Sequence, residues 1–211
     1  MKPLQAQGGI IWLERAESTN TELRRRIDTL DNLSVIAARE QTAGRGQGDH
    51  SWFSSPRTNL TFSMLFRFGK EYPVTLEASG AVLVTHICTL GIRDYLLGRG
   101  ISSRIKWPND IWVGELKICG ILIENTAISG EISSSIAGIG LNVNESGWPP
   151  ELPNPVSMKE LGGGRVYDLD SELESLVSWL RRRYAQAATA EGRRALEEEF
   201  GKYMFRLPSK S

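Results

Sequence analysis

Apolar residues recur along this chain with two periods, and the changes between them predict its elements. A short apolar run at 9–13 (GIIWL) reads as a buried strand, after which Ser18, Thr19 and Asn20 offer N-caps for a helix reaching about Asp28. A second strand is expected over 33–38 (LSVIAA). It leads into a polar stretch, 42–51, whose three glycines and hydrophilic neighbours suit a surface loop rather than a core. Residues 59–66 (NLTFSMLF) alternate as a half-buried strand does, and 74–97 carries apolar residues at helical spacing. Three strands are expected over 103–106, 111–113 and 117–124, with a hairpin at Val113-Gly114-Glu115-Leu116, and a further strand within 132–144. The segment 147–164 is rich in proline and glycine and reads as a connector or cap across the sheet. Helices resume near Asp170, where Leu173, Leu176, Val177 and Leu180 share a face, followed by a second amphipathic helix through Ala195 and Phe200.

Strands clustered in hairpins, one long helix between them and helices at the end predict an α+β fold: a mixed, largely antiparallel sheet flanked by helices. A doubly wound parallel sheet would need a regular strand and helix alternation that is missing. At 211 residues the chain has room for one full domain and a small appendage.

Composition narrows the partners. Lysine plus arginine equals aspartate plus glutamate at 25 each, so no global field attracts nucleic acid or an acidic membrane, and any anion site must be local. The N-terminal segment holds no apolar run of signal-peptide length, and no stretch approaches the roughly 20 apolar residues of a membrane span. The chain therefore reads as cytoplasmic. Cys88 and Cys119 sit among aliphatic residues without metal spacing and are expected to be buried, reduced thiols. His86, within the long apolar helix, is expected to be a packed structural histidine. The runs Arg181 to Arg183 and Glu197 to Glu199 read as solvated faces.

Three constellations could carry chemistry. The loop QTAGRGQGDHSWFSS places Gly44, Gly46 and Gly48 around Arg45, so that backbone N–H groups and a guanidinium could approach an anion. It lacks both the P-loop and the dinucleotide-binding glycine patterns. Residues 104–124 (RIKWPNDIWVGELKICGILIE) are more specific: two lysines, Lys106 and Lys117, flank a Trp-Pro-Asn-Asp bend. Residues 137–144 (AGIGLNVN) combine small residues, which permit close approach to a strand, with asparagines able to hydrogen-bond a polar ligand.

Taken together these residues resemble the biotin-protein ligases, which are similar in fold to lipoate-protein ligases and to the catalytic domains of class II aminoacyl-tRNA synthetases. The resemblance runs from about Ile11 to Asn144. It rests on Ser18-Thr19-Asn20, Gln41-Thr42 with Gly44-Arg45-Gly46, Trp52, Asn59 to Ser63, Lys106-Trp107-Pro108-Asn109-Asp110, Lys117 with Gly120-Ile121-Leu122 and Glu124, and Gly138 to Asn142.

The resemblance implies an ATP- and Mg²⁺-dependent enzyme that forms biotinyl-5'-AMP from biotin and ATP and passes biotin to a lysine of a biotin carboxyl carrier protein. No enzyme nucleophile is needed. Catalysis is then positioning and charge stabilisation, with Lys117 and Arg45 as the catalytic candidates. Ser18, Thr19, Asn20, Gln41, Gly44, Arg45, Gly46, Gln47, Lys117 and Gly120 would contact biotin. Lys106, Trp107, Asn109, Asp110 and Asn142 would serve the nucleotide, with no protein metal ligand assigned.

Two departures from the family are expected to matter. Gln47, Gly48, Asp49 and His50 stand where better-known bacterial members are richer in arginine, which leaves Arg45 as the loop's only fixed positive charge and predicts weaker retention of the adenylate. No helix-turn-helix region precedes Ile11, so no repressor function carries over. The catalytic domain is expected over 1–200, and 201–211 as the start of the family's small C-terminal β domain, which would begin near Tyr203-Met204-Phe205-Arg206-Leu207 and is expected to be absent or truncated, since the chain stops at Ser211. A lipoate or other acyl-protein ligase and a non-enzymatic biotin-binding module are the alternatives, and both a monomer and a homodimer are open.

Overall fold

The computed structural model describes residues 8–206; Leu207, and with it part of the expected start of a further domain, lies outside the described residues. In chain order the elements are β1 (Ile10–Ala16), α1 (Thr19–Arg25), β2 (Val35–Gln41), β3 (Leu60–Arg67), α2 (Val82–Gly98), β4 (Arg104–Lys106), β5 (Asp110–Val113), β6 (Leu116–Ile128), β7 (Glu131–Leu141), α3 (Met158–Leu161), α4 (Leu169–Gln186), α5 (Ala190–Tyr203) and β8 (Met204–Phe205). They build one eight-stranded sheet in the order β1-β2-β3-β7-β6-β5-β4-β8. The β1–β2 and β4–β8 pairs are parallel and the rest antiparallel. The expected mixed, largely antiparallel α+β sheet is what forms.

The two faces of the sheet carry different residues, because side chains alternate along each strand. Leu60, Phe62, Met64 and Phe66 of β3 and Ala137, Ile139 and Leu141 of β7 join the main core with residues of α2, α4 and α5. The other face holds only a small apolar cluster, Leu23 of α1 with Ile36, Leu65 and Ile136. Beyond that cluster it turns small and polar: Thr61 pairs with Gly140, Gly140 with Gly120, Ser63 with Gly138, and Gly138 with Leu122. One face is thus committed to stability and half of the other is left for a ligand.

Several boundaries differ from the expected ones. The helix foreseen over 74–97 begins only at Val82, after a 3-10 turn at Ala78–Gly80. Val74 and Leu76 are buried, but as extended chain: Ile132 N–H donates to Leu76 O at 2.8 Å and Ala78 N–H to Gly130 O at 2.9 Å. Their apolar character reflects packing rather than a helical turn. With its preceding turn, α2 spans 21 residues and is long and apolar enough to cross a membrane, contrary to the expectation that no stretch is. Most of it is buried inside the protein, and this burial accounts for its composition. Helix α1 stops at Arg25, short of Asp28, and a 3-10 turn follows. The β6–β7 hairpin is longer than expected, turning at Ser129 and Gly130 with φ of 52° and 85°. Positive φ at both positions is what a two-residue turn matched to strand twist requires.

The connector over 147–164 contains the short helix α3, started by a capping box between Ser157 and Glu160. Asp168 and Thr189 cap α4 and α5, each accepting from the backbone N–H three residues on. The charged runs near the C-terminus are more than solvated faces. Arg183 bridges Asp94 of α2 (2.6 Å) and Glu199 of α5 (2.6 Å), and Arg181 donates to the carbonyls of Gly8 and Leu33. Burial pushes both thiols, Cys88 and Cys119, well up, as expected of inert core cysteines. Tyr203 ends α5, and Met204 and Phe205 join the sheet beside β4, where Trp107 N–H donates to Phe205 O at 2.9 Å.

Candidate active site

The small, polar half of the open sheet face forms the floor of a cavity of about 250 Å³. Its tightest feature is the glycine shelf. A Cβ on Gly140 would lie 2.2 Å from Trp52 Cε2, and one on Gly120 would lie 2.8 Å from Trp52 Cζ3. Only glycine at these paired positions lets a flat indole lie directly on the backbone. Trp52 Nε1 is buried and without a hydrogen-bond partner among the described residues.

The loop that carries Trp52 is folded, not merely hydrophilic. Trp52 N–H donates to Gly44 O (2.9 Å), Gly46 N–H donates to His50 O (2.7 Å), and Arg45 pairs with Ser51 in an antiparallel bridge. Gly48, with φ 64°, makes the reversal at the tip. The loop's glycines therefore build a compact roof over the shelf.

One wall of the cavity is a chain of side-chain hydrogen bonds. Gln41 Oε1 accepts from Thr19 N–H (3.0 Å) and from the Thr19 hydroxyl (3.2 Å). The Ser63 hydroxyl lies 2.7 Å from that of Thr19 and 2.5 Å from Asn20 Oδ1, and Asn20 Nδ2 donates to Glu124 at 2.7 Å. Ser18 holds the N-cap position of α1, yet its side chain makes no capping hydrogen bond. It lines the cavity instead, so its residue type is explained by the site rather than by the helix.

The opposite end is cationic. Lys106 and Lys117 line it against a single carboxylate, Asp110, whereas Arg45 lines the cavity on the side of the wall, where it pairs with Glu124. Lys117 Nζ lies 2.8 Å from Asp110 Oδ1 and 5.7 Å from the Trp52 ring centre, while Lys106 Nζ stands 4.7 Å from the Trp112 ring centre. The Lys117 backbone is clamped: its N–H donates to Asn154 O (2.7 Å) and its carbonyl accepts from Val156 N–H (3.1 Å) and Asn142 Nδ2 (3.3 Å). Asn109 fixes the neighbouring bend by donating to Ile121 O at 2.5 Å. Both catalytic candidates are ion-paired, Lys117 with Asp110 and Arg45 with Glu124.

Of the residues proposed from sequence, Ser18, Thr19, Asn20, Gln41, Arg45, Gly46, Gln47, Lys106, Trp107, Asn109, Asp110, Lys117 and Gly120 line this one cavity. Gly44 and Asn142 do not. Gly44 packs behind the roof, where a Cβ would be 2.5 Å from Trp52 O. Asn142 is buried behind Lys117, its amide shared between Lys117 O and Val156 O (3.0 Å), so it reaches the site through the lysine backbone. Asn144 is likewise structural, exchanging hydrogen bonds with the Tyr167 backbone. Thr61, which lines the cavity, and Ser63, which braces its wall, have no role assigned from sequence, whereas Gly138 and Gly140 allow the close approach expected of the small residues in 137–144, to Asn20 and Trp52. Their parts depend on which face of the sheet they occupy. Trp52 and Glu124 stand in the sequence motifs, again without a role that local pattern could supply.

A glycine shelf under an indole, a polar wall and a cationic end suit an elongated small molecule that carries an anionic group at one end. Such a site defines a protein that binds a small anionic ligand. A profile of the Biotin/lipoate A/B protein ligase family matches residues 12–143, and the chain belongs to that family. It is 31% identical over 186 residues to the biotin–acetyl-CoA-carboxylase ligase of Paracoccus denitrificans, covering 84% of this chain and 73% of the relative. It is also 29% identical over 158 residues to the bifunctional ligase/repressor BirA of Bacillus subtilis, covering 74% of this chain but 47% of BirA, so it spans about half the length of that relative. Among solved structures, the biotin protein ligase of Aquifex aeolicus in complex with biotin and ATP superposes with a TM-score of 0.77 at 24% identity, covering 93% of this chain and 78% of the other. That likeness establishes the shared fold.

Proposed function

We propose that this chain is an ATP-dependent biotin-protein ligase. A biotin carboxylate oxygen attacks the α-phosphorus of ATP, the bond to the bridging β-phosphate oxygen breaks, and pyrophosphate leaves. A lysine amine of a biotin carboxyl carrier protein then attacks the carbonyl of the mixed anhydride, loses a proton, and expels AMP. The observation that carries this reading is the position of Lys117: a cation held by its own backbone at the end of a glycine-floored cavity, beside the indole of Trp52. There it draws together two anions that repel each other, the carboxylate and the α-phosphate. The wall of Ser18, Thr19, Asn20 and Gln41 offers the few convergent polar groups that a ureido ring would need. Lys106, Trp107 and Asn109 flank the cavity on the side assigned to the nucleotide. Arg45 closes the roof.

Mg²⁺ fits as a companion of the nucleotide. Among the described residues no cluster of three His, Cys, Asp or Glu could cage it, and Asp110 is the one carboxylate lining the cavity. A hard cation held by a single carboxylate and substrate phosphates is ordinary for magnesium. We further assign the catalytic domain to residues 1–200, acting in the cytoplasm. The acceptor would be the carrier domain of a biotin-dependent carboxylase.

Incubation with ATP, Mg²⁺ and biotin, with lipoate in parallel, and with or without a biotin-carrier domain, tests the reading. Carrier biotinylation with pyrophosphate release is expected. Preference for lipoate would identify an acyl-protein ligase of different substrate, and binding of biotin without pyrophosphate release would identify a binding module.

A further inference from the structure

Glu124 touches no substrate in the proposed reaction, yet its carboxylate gathers side chains from separate stretches of chain. It accepts from Asn20 Nδ2 at 2.7 Å, from the Arg45 guanidinium at 3.3 and 3.4 Å, and pairs with Arg24 at 3.2 Å. In its row of the open sheet face the neighbours Ile136 and Leu65 are apolar and buried. A carboxylate in that row is an exception to the pattern, and its partners account for it.

Asn20 shows the consequence first. Its amide lies so close over Gly138 that a Cβ there would be 2.4 Å from Asn20 Oδ1. Both ends of the amide are committed, the oxygen to Ser63 and the nitrogen to Glu124. The anionic acceptor at the nitrogen end fixes the orientation of the group, because an amide oxygen turned toward Glu124 would face a carboxylate with no proton between them. Arg45 shows the second consequence. As the only lysine or arginine between Thr42 and Trp52, it is the roof's one cationic anchor, and it is fastened to a strand of the floor.

We propose that Glu124 is a positioning residue that acts through Asn20 and Arg45: it fixes the amide orientation on the polar wall and tethers the 42–52 roof to β6. The kinetic half of this inference rests on the ligase reading; the tether does not. Arg24 and Arg45 are half-exposed, with side-chain accessibilities of 54% and 49%, so loss of Glu124 leaves two solvated cations and a folded chain.

The test uses the full chain with Glu124→Ala, Glu124→Gln and, as a comparison, Lys117→Ala. Trypsin cleavage at Arg45–Gly46, followed by mass spectrometry without any substrate, reads the tether directly. About tenfold faster cleavage is expected for both Glu124 variants, the weight of one lost charge-assisted contact, and no change for Lys117→Ala. If the wild type adenylates biotin, Glu124→Ala should raise the KM for biotin about tenfold with kcat nearly unchanged, and Glu124→Gln, which can still accept from Asn20, should restore most of it. Unchanged cleavage at Arg45 in Glu124→Ala overturns the tether. A KM that stays at the wild-type value in Glu124→Ala overturns the positioning of Asn20. Should the wild type prove inactive on biotin, the ligase reading fails while the cleavage result still decides the tether.

Discussion

Gly140→Ala separates the folding role of the sheet from its ligand-binding role. The substitution is conformationally allowed, since Gly140 does not use positive φ, and replacing a strand glycine by alanine lowers the entropy lost on folding by about 0.5–1 kcal/mol. Against this, the new methyl group would sit 2.2 Å from Trp52 Cε2 and 2.5 Å from Trp52 Nε1. Ordinary contact begins near 3.4 Å, so the ring must retreat by a little over 1 Å, and the roof that carries it must follow. A methyl with its displaced indole also takes a substantial part of a cavity of only about 250 Å³. A displacement of about 1 Å near reacting groups costs on the order of 10² in rate. We therefore expect a chain whose Tm moves by no more than a few degrees while biotin-dependent ATP–pyrophosphate exchange falls about 100-fold or more. Exchange within about threefold of wild type, with an unchanged Tm, would refute the glycine-shelf argument.

Lys117→Ala should reduce adenylation by about 10² to 10³, the usual loss for one preorganised charge donor, and leave thermal unfolding nearly unchanged because its side chain is partly solvated; near-normal pyrophosphate release would remove Lys117 from its catalytic role. Because Arg45 is the roof's single fixed cation and is engaged with Glu124, biotinyl-5'-AMP should dissociate readily, and a very slow measured off-rate would contradict this. Glu172→Ala should destabilise the fold by about 2–3 kcal/mol in urea unfolding, since it strips the buried Tyr95 hydroxyl (2.5 Å) and Arg99 (2.7 Å) of their shared partner; a change under about 1 kcal/mol would argue against that network. Acid should weaken the protein in two stages. Burial lowers the pKa of His86 below 6.5, against an opposing pull from Glu197, so the folded chain takes up this proton less readily than the unfolded one. Its contribution is complete above pH 6.5 and is lost as pH falls through the lowered value. Burial alone would push the Glu145 carboxyl up, but hydrogen bonds from Ser55, Thr58 and Gly147 outweigh it and hold the group below its ordinary 4.5, so its stabilisation is present above pH 4.5 and is lost under stronger acid. His86→Leu should flatten the fall in Tm as pH drops below 6.5; an unaltered slope there would assign that stage to other groups.

Much of this protein is legible from local sequence because local physics decides it. Alternation marks β3, a proline-fixed bend announces the Lys106–Asp110 turn, and the reactive cluster 104–124 is contiguous, so Lys106, Asn109, Asp110 and Lys117 can be proposed without knowing the fold. Where Val74 and Leu76 break the pattern, the failure has a cause: apolar spacing reports burial, and an extended segment pinned to the β6–β7 turn is buried as well as a helix is. What only the tertiary structure decided is which residues face which side. Ser63 looks like an ordinary strand residue, and the small residues Gly138 and Gly140 announce a close approach without saying of what, until β3, β7 and β6 pair in register and turn them toward Trp52 and Asn20. Asn142 has the residue type of a ligand contact, yet strand register buries it behind Lys117. Glu124 is 104 positions from Asn20 and 79 from Arg45, and sequence spacing carries no information about such a meeting. Pairing register and sheet facing are long-range properties, and they determine which of the chain's polar residues become a site.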